Sequence, residues 1–341
     1  MTSPLIAVLG GYGAVGGVAV ARLASHGHLR VRAGGRSPSR AVPPAGVELS
    51  TVDIDDPDSL ARFCSGADVV LNCAGPSYRV LDTVARAASA EAAAYVDVAG
   101  DVPAHRALGD TAGTAVFSAG VMPGLTGLLP RLVTTTGADV RVHAGGAVRM
   151  PPASAADILL ARGPDFGEPG ALWREGAIVR HALAPERRVT VPGFPCLVDA
   201  MPFLPAEGVR LAGELTPARL RFHSVYVSEA IPTALAMAWA DEPEYLSEHA
   251  ESLVAAAQSD LRDHDPFYVL TARSGDKAVT LRAPDPYRLS GVVAALTVLA
   301  VLDGAVPPGN HFADQVLDAH AVADVLHHDP LVESVTTEGI P

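Results

Sequence analysis

The chain has 341 residues, with 25 lysines and arginines against 38 aspartates and glutamates, a formal net charge of -13. Hydrophobic residues make up 49% and charged residues 18%, the composition of a folded globular protein rather than a disordered one. So acidic a chain argues against nucleic acid or an anionic membrane as main partner, and a small molecule is the expected one.

The length suits one large domain or two ordinary ones. Lys277 is the only lysine, so chemistry that needs an amine nucleophile has a single candidate. Cys64, Cys73 and Cys196 form no CxxC pair, which predicts reduced thiols and a cytoplasmic setting. Met1-Thr2-Ser3-Pro4 runs straight into the first strand, and no signal peptide is expected. The longest apolar stretch, Leu289 to Leu302, is too short for a membrane span and reads as a buried helix.

Leu5 to Leu9 is a short apolar strand. It enters Gly11-Tyr12-Gly13-Ala14-Val15-Gly16, the Gly-x-Gly-x-x-Gly spacing, and a helical pattern runs from Ala14 to His26. Strand, glycine triplet and helix in that order predict a dinucleotide site. Gly11 allows the tight turn, Gly13 lets backbone approach a pyrophosphate, Gly16 seats the helix close on the strand, and the helix N-terminus faces the phosphates. Leu29 to Ala33 is the second strand. An NAD site would carry an acidic residue at its end; this chain has Gly34-Gly35-Arg36-Ser37, with Arg40 beyond. No carboxylate repels a 2′-phosphate there and a guanidinium can pair with it, so NADP(H) is expected over NAD(H).

Val47 to Ile54 is a third strand, and Asp53 at its end either caps an adenine pocket or belongs to the turn before Pro57. A helix over 57–64 leads to a fourth strand, Ala67 to Leu71. It ends in Asn72-Cys73-Ala74-Gly75-Pro76, where Asn72, Ala74, Gly75 and Pro76 are expected to line the nicotinamide ribose. Helices over 79–92 and 104–112 alternate with strands over 94–99 and 115–118. Six strands alternating with helices predict an α/β fold with a parallel, doubly wound sheet of Rossmann type. From Pro123 onward the pattern changes. Strands over 140–148, 178–191, 219–227 and 268–282 read as mostly antiparallel. Residues 151–176 and 192–217 read as loops, with a short helix over 154–162 in the first. Helices are expected over 242–262, 285–302 and 314–327. The middle region is thus a second, α+β domain with a mixed sheet.

These motifs, in this order, resemble the saccharopine dehydrogenase-like NAD(P)-binding oxidoreductases. The resemblance rests on Gly10 to Gly16, Ala33 to Arg36, Asn72 to Pro76, Tyr95 to Asp101, Gly120 with Pro123-Gly124-Leu125, and Asp285-Pro286-Tyr287-Arg288-Leu289-Ser290. It implies a dinucleotide-binding domain over 1–122 and an inserted substrate and dimerisation domain over 123–284. Residues 285–341 then pack back on the first domain. Substrate would sit between the domains over the nicotinamide, and a homodimer is expected. The middle region, which would choose the substrate, looks least like any member.

Hydride transfer asks the protein to align donor with acceptor, exclude water and manage one proton. Asp97 could polarise or protonate an imine nitrogen, or it ties down the adjoining loop; Asp101 suits a helix cap. Tyr78 could donate a proton and Arg79 could bind a substrate carboxylate, or both are ordinary helix residues. His143 is a possible acid or base and Arg149 a possible carboxylate anchor on the first strand of the inserted domain; His223 and Tyr226 lie on a later one, Tyr226 as a substrate contact. A strand histidine can equally be structural. The histidines near the C-terminus lack metal-ligand spacing, and no metal is expected. Reduction of an imine of an amino acid or polyamine is the leading reading. Reduction of a C=C bond in a lipid or secondary metabolite, and cofactor binding without turnover, are the alternatives.

Overall fold

The computed structural model describes residues 3–38, 42–161, 163 and 165–340. They divide into two compact units, Met1–Leu125 with Tyr287–Leu317, and Thr126–Pro286 with Asp318–Pro341.

Along the chain, β1 (Leu5–Leu9) leads through the glycine turn into α1 (Ala14–Ser25). Then come β2 (Arg30–Gly35), β3 (Glu48–Thr51), α2 (Pro57–Cys64), β4 (Val69–Asn72), α3 (Ser77–Val80), α4 (Thr83–Ala90), β5 (Ala94–Asp97), α5 (Val102–Leu108) and β6 (Thr114–Phe117). Every residue of β1 and β4 is buried, as expected for strands covered on both faces. Helix α2 begins with Pro57 at its first turn, and the Asp56 carboxylate accepts from Asp58 N at 3.0 Å.

The second stretch runs α6 (Leu125–Leu128), β7 (Asp139–Ala147), α7 (Pro152–Leu160), β8 (Gly167–Pro169), β9 (Leu172–Arg174), β10 (Ala177–Val179), β11 (Glu186–Val189) and β12 (Val198–Pro205). It continues with α8 (Ala206–Leu215), β13 (Arg219–Tyr226), α9 (Ala230–Trp239), α10 (Ala250–Asp260), β14 (Phe267–Ser274) and β15 (Lys277–Ala283). Then α11 (Pro286–Leu302), β16 (Gly309–Phe312) and α12 (Ala313–Val316) lead to α13 (Ala319–His327) and β17 (Ser334–Glu338).

In the first unit the strands form a seven-stranded parallel sheet in the order β16-β6-β5-β4-β1-β2-β3. Leu60 and Phe63 of α2 and Val84 and Ala88 of α4 share a core cluster with Tyr95 and Phe117; Ala19, Val20 and Leu23 of α1 and Ala294, Ala295 and Val298 of α11 share another with Ile6, Val8, Leu71 and Val96. In the second unit a ten-stranded sheet runs β10-β9-β13-β7-β14-β15-β17, with β12 pairing β13, β11 and β8. It is mixed: β7 and β13 are parallel, while β14 is antiparallel to β7 and to β15. No helix among the described residues is long and apolar enough to cross a membrane.

Several expectations need correction. Residues 285–341 do not return to the first unit as one piece. Tyr287–Leu317 does, adding β16 beside β6, but Asp318–Pro341 belongs to the second unit, where β17 pairs with β15. The stretch read as one strand over 178–191 is two, β10 and β11, and the stretch read as loop over 192–217 holds β12 and α8. Strand β12 contains Pro202 and Pro205, which lack the amide proton that marks a ladder. The helix expected over 314–327 breaks at Leu317, and Asp318 caps the next one by accepting from His320 N and Ala321 N at 2.8 and 3.0 Å.

Candidate functional site

The strand order of the first sheet reverses at β1, with β2 and β3 on one side and β4, β5 and β6 on the other. Ligands of open α/β sheets bind beyond the carboxyl ends of the strands at such a point. Here that place is the glycine turn. Gly10 follows β1 at φ +73°, and a Cβ on it would lie 2.8 Å from the carbonyl carbon and oxygen of Cys73. The turn after β1 and the turn after β4 therefore meet backbone to backbone. Gly11 N donates to Gly34 O at 3.0 Å and Gly13 N to Gly10 O at 3.0 Å, which folds the turn back on itself. A Cβ on Gly16 would stand 2.3 Å from Gly10 O, so only glycine lets α1 sit this close. At Gly13 a Cβ would meet only Gly10 O, at 3.3 Å. Gly13 and Ala14 are exposed. Helix α1 starts without a side-chain cap and without an acidic residue in its first turn. Its amide groups and the positive end of its dipole suit a pyrophosphate.

Tyr12 contributes differently from the glycines around it. Its hydroxyl lies 2.9 Å from Ala33 O and 3.0 Å from Ser50 O, with one proton to share, and accepts from Ser50 N at 3.3 Å. The ring covers Gly35, where a Cβ would lie 2.9 Å from its Cδ2. The side chain thus ties the turn to β2 and β3. Arg32 is engaged too, with Glu48 at 3.0 Å, Phe63 O at 2.8 Å and Ser65 O at 3.0 Å. Arg36 and Ser37, by contrast, are exposed directly after β2, and Arg36 makes no ion pair with the described residues. Arg40 lies outside the described residues. Asp53 is exposed and organises the turn before α2, accepting from Asp55 N at 3.1 Å while its own amide donates to Ser59 Oγ at 3.2 Å.

Asn72 and Asp97 stand side by side at the ends of β4 and β5. Asp97 is 2% exposed, and four donors reach its carboxylate. Asn72 Nδ2 at 3.1 Å and the Tyr95 hydroxyl at 2.5 Å meet Oδ2; Ala99 N at 3.0 Å and Gly100 N at 2.7 Å meet Oδ1. Asn72 Oδ1 in turn accepts from Ala74 N at 3.0 Å. The pair clamps the two turns that follow β4 and β5. Burial raises the Asp97 pKa against these hydrogen bonds, and raises that of Tyr95 with help from the Asp97 charge. The Cys73 thiol is likewise pushed up, first by burial and then by Asp97. Tyr95 is the partner that sequence reading missed. Its place two residues before Asp97, on the same face of one strand, was the available signal. Gly75 is exposed and Ala74 and Pro76 half-buried beyond Asn72, followed in α3 by half-buried Tyr78 and exposed Arg79.

The other candidates belong to the second unit. His143 on β7 and His223 on β13 are register partners, 5% and 1% exposed, with rings stacked at 4.8 Å and 15°. His143 is pushed down to about 3, mainly by burial, then by His223, Arg141 and Arg221. His223 is lowered by burial, with Glu186 acting against it. A ring that stays neutral through physiological pH is poorly matched to general-acid work there. Its geometry is that of a packing pair, with His143 Nε2 and His223 Nδ1 buried without a hydrogen-bond partner. Tyr226 is half-buried, three residues from His223 on β13 and so on the opposite face of the sheet; Arg149 is exposed after β7. The structure therefore does not bring Tyr226 to the face of His143. No group of three or more His, Cys, Asp or Glu among the described residues could hold a metal ion.

Comparison with known proteins gives three findings. Residues 6–115 match the model of the saccharopine dehydrogenase NADP binding domain. A 59-residue stretch is 39% identical to an Arabidopsis thaliana protein named "Probable mitochondrial saccharopine dehydrogenase-like oxidoreductase", covering 17% of this chain and 13% of that protein. The fold superposes on apo saccharopine dehydrogenase (L-Glu forming) from Saccharomyces cerevisiae with a TM-score of 0.67 and 15% identity, over 98% of this chain and 99% of that one.

Proposed function

The chain is saccharopine dehydrogenase-like, in its NADP-binding domain and in its fold, and from that premise we propose that it is an NADPH-dependent oxidoreductase. The observation that carries the cofactor choice is the end of β2, where exposed Arg36 and Ser37 stand in place of a carboxylate. Gly10 to Gly16 and the start of α1 would hold the pyrophosphate, Arg36 the 2′-phosphate, and the Asn72 turn the nicotinamide ribose. When bound, NADPH supplies a hydride.

The substrate class we propose is an imine formed from an amino acid or polyamine and a carbonyl compound. Asp97 supports this reading through what it does not offer, since its carboxylate is buried and met by four donors. An imine protonated in solution is already an iminium ion. Hydride addition to its carbon gives the secondary amine with no proton from a side chain. A C=C bond also needs a proton delivered to carbon after the hydride, from a placed acid or from water. Arg79, exposed one turn beyond Pro76, is a suitable anchor for a substrate carboxylate.

Titration with NADPH and NADH tests the cofactor. Wild type should prefer NADPH by about tenfold or more, and Arg36→Asp should lose NADPH affinity selectively. Equal affinity for the two would sink the Arg36 argument. NADPH oxidation with mixtures of amino acids or polyamines and 2-oxo acids or aldehydes tests the substrate. Turnover of activated C=C compounds and of no such mixture would replace the imine reading. The homodimer is part of the same proposal, and light scattering reads it directly.

A further inference from the structure

Helix α11 holds a glycine that its backbone does not require. Gly291 lies in the helix body between Ser290 and Val292, with no positive φ. A glycine there weakens a helix relative to alanine. The space around it supplies the reason. A Cβ on Gly291 would stand 2.4 Å from Val15 O, 2.8 Å from Val18 Cβ and 3.2 Å from Ala19 N. These atoms belong to the first turns of α1, and two of the three are backbone, so no side-chain rotation makes room. One residue earlier, the buried Ser290 hydroxyl accepts from Val121 N at 3.1 Å. Val121 follows Gly120, where a Cβ would lie 2.8 Å from Val98 O in the turn after β5.

Two adjacent residues of α11 therefore touch both the first turns of α1 and the segment beyond β6. We propose that the Ser290–Gly291 step is a positioning element for the cofactor: Gly291 sets the height of the α1 N-terminus, and Ser290 holds the segment beyond β6 on the nicotinamide side. The proposal rests on the NADP(H) reading above. Moving a 2.4 Å approach out to ordinary contact displaces the start of α1 by about 1 Å. Amide-to-phosphate hydrogen bonds span only a few tenths of an ångström of useful length, so such a shift breaks them. The motif Asp285 to Ser290, singled out by resemblance, gains a physical role in this way, as the lead into this step.

The test titrates NADPH, 2′,5′-ADP and 2′-AMP into the full-length wild type, Gly291→Ala and Ser290→Ala proteins, with folding followed by circular dichroism. Gly291→Ala should weaken NADPH and 2′,5′-ADP about tenfold or more, and 2′-AMP, which has no 5′-phosphate, less than about twofold. Ser290→Ala should weaken NADPH but leave 2′,5′-ADP, which has no nicotinamide half, within about twofold, and Ser290→Thr should restore NADPH affinity. If Gly291→Ala does not fold, the Ser290 pair decides alone. Unchanged NADPH affinity in the folded variants, or one loss shared by all three ligands, overturns the proposal. Failure of the wild type to bind either NADPH or 2′,5′-ADP overturns the cofactor reading beneath it, a separate and recognisable outcome.

Discussion

Gly13 and Gly16 have the same side chain, and the structure asks different things of them. A methyl on Gly16 would press on Gly10 O at 2.3 Å, whereas one on Gly13 has only a 3.3 Å neighbour and open space. Gly16→Ala should therefore lower stability by about 1–3 kcal/mol, read as a fall in Tm. Gly13→Ala should leave Tm nearly unchanged while weakening NADPH in titration, because on the proposed reading its methyl stands where phosphate would approach. Asp97 gives a second prediction at this scale. An asparagine in its place would present an amide to donors that now meet two carboxylate oxygens, so Asp97→Asn should destabilise by about 1–3 kcal/mol, together with whatever turnover it loses. Turnover falling a hundredfold at unchanged Tm would instead make Asp97 a proton-transfer group. The glycine spacing was legible because it is local. The tie from Asp97 to its adjoining loop was legible too; the Asn72 contact was not, because Asn72 reaches Asp97 only through the pairing of β4 with β5.

Among elements, those with a local start signal were the ones the sequence revealed. Asp56 before Pro57 is such a signal, and Asp56→Ala should cost about 1 kcal/mol in a urea unfolding measurement, since the amide of Asp58 loses its acceptor. Strand β12 has no local signal. Pro202 and Pro205 break its pattern, and it forms because β13, β11 and β8 all pair with it. Strands β16 and β17 are short segments whose identity comes from an edge prepared elsewhere, by β6 and by β15. The parallel pairing of β7 with β13 is likewise a matter of topology, invisible in strands that alternate like antiparallel ones. The middle region was thus readable as strand-rich and mixed, but not in its order.

At the scale of the whole chain, stability should depend on pH through the stacked histidines. His143 titrates near 3 in the folded protein against an ordinary value of 6.5, and His223 is lowered as well. Between those limits the unfolded chain binds more protons, so stability is full above pH 6.5 and is lost as pH falls toward 3. The slope contributed by His143 should approach about 1.4 kcal/mol per pH unit. Urea midpoints at pH 7.5 and 5 should differ less in the His143→Phe, His223→Phe double variant than in wild type. An equal difference would show that carboxylates govern the acid limb.

The division of the chain has one further consequence. The backbone leaves the first unit at Leu125, returns at Tyr287 and leaves again at Leu317. Neither unit is a continuous stretch, so neither can be produced by trimming an end. On the ribosome, the glycine turn and β1 emerge well before the cover supplied by Ala294, Ala295 and Val298, which follows only after the whole of Thr126–Pro286 has been synthesised. The nascent dinucleotide-binding sheet must wait, half-clad, for a helix encoded far downstream.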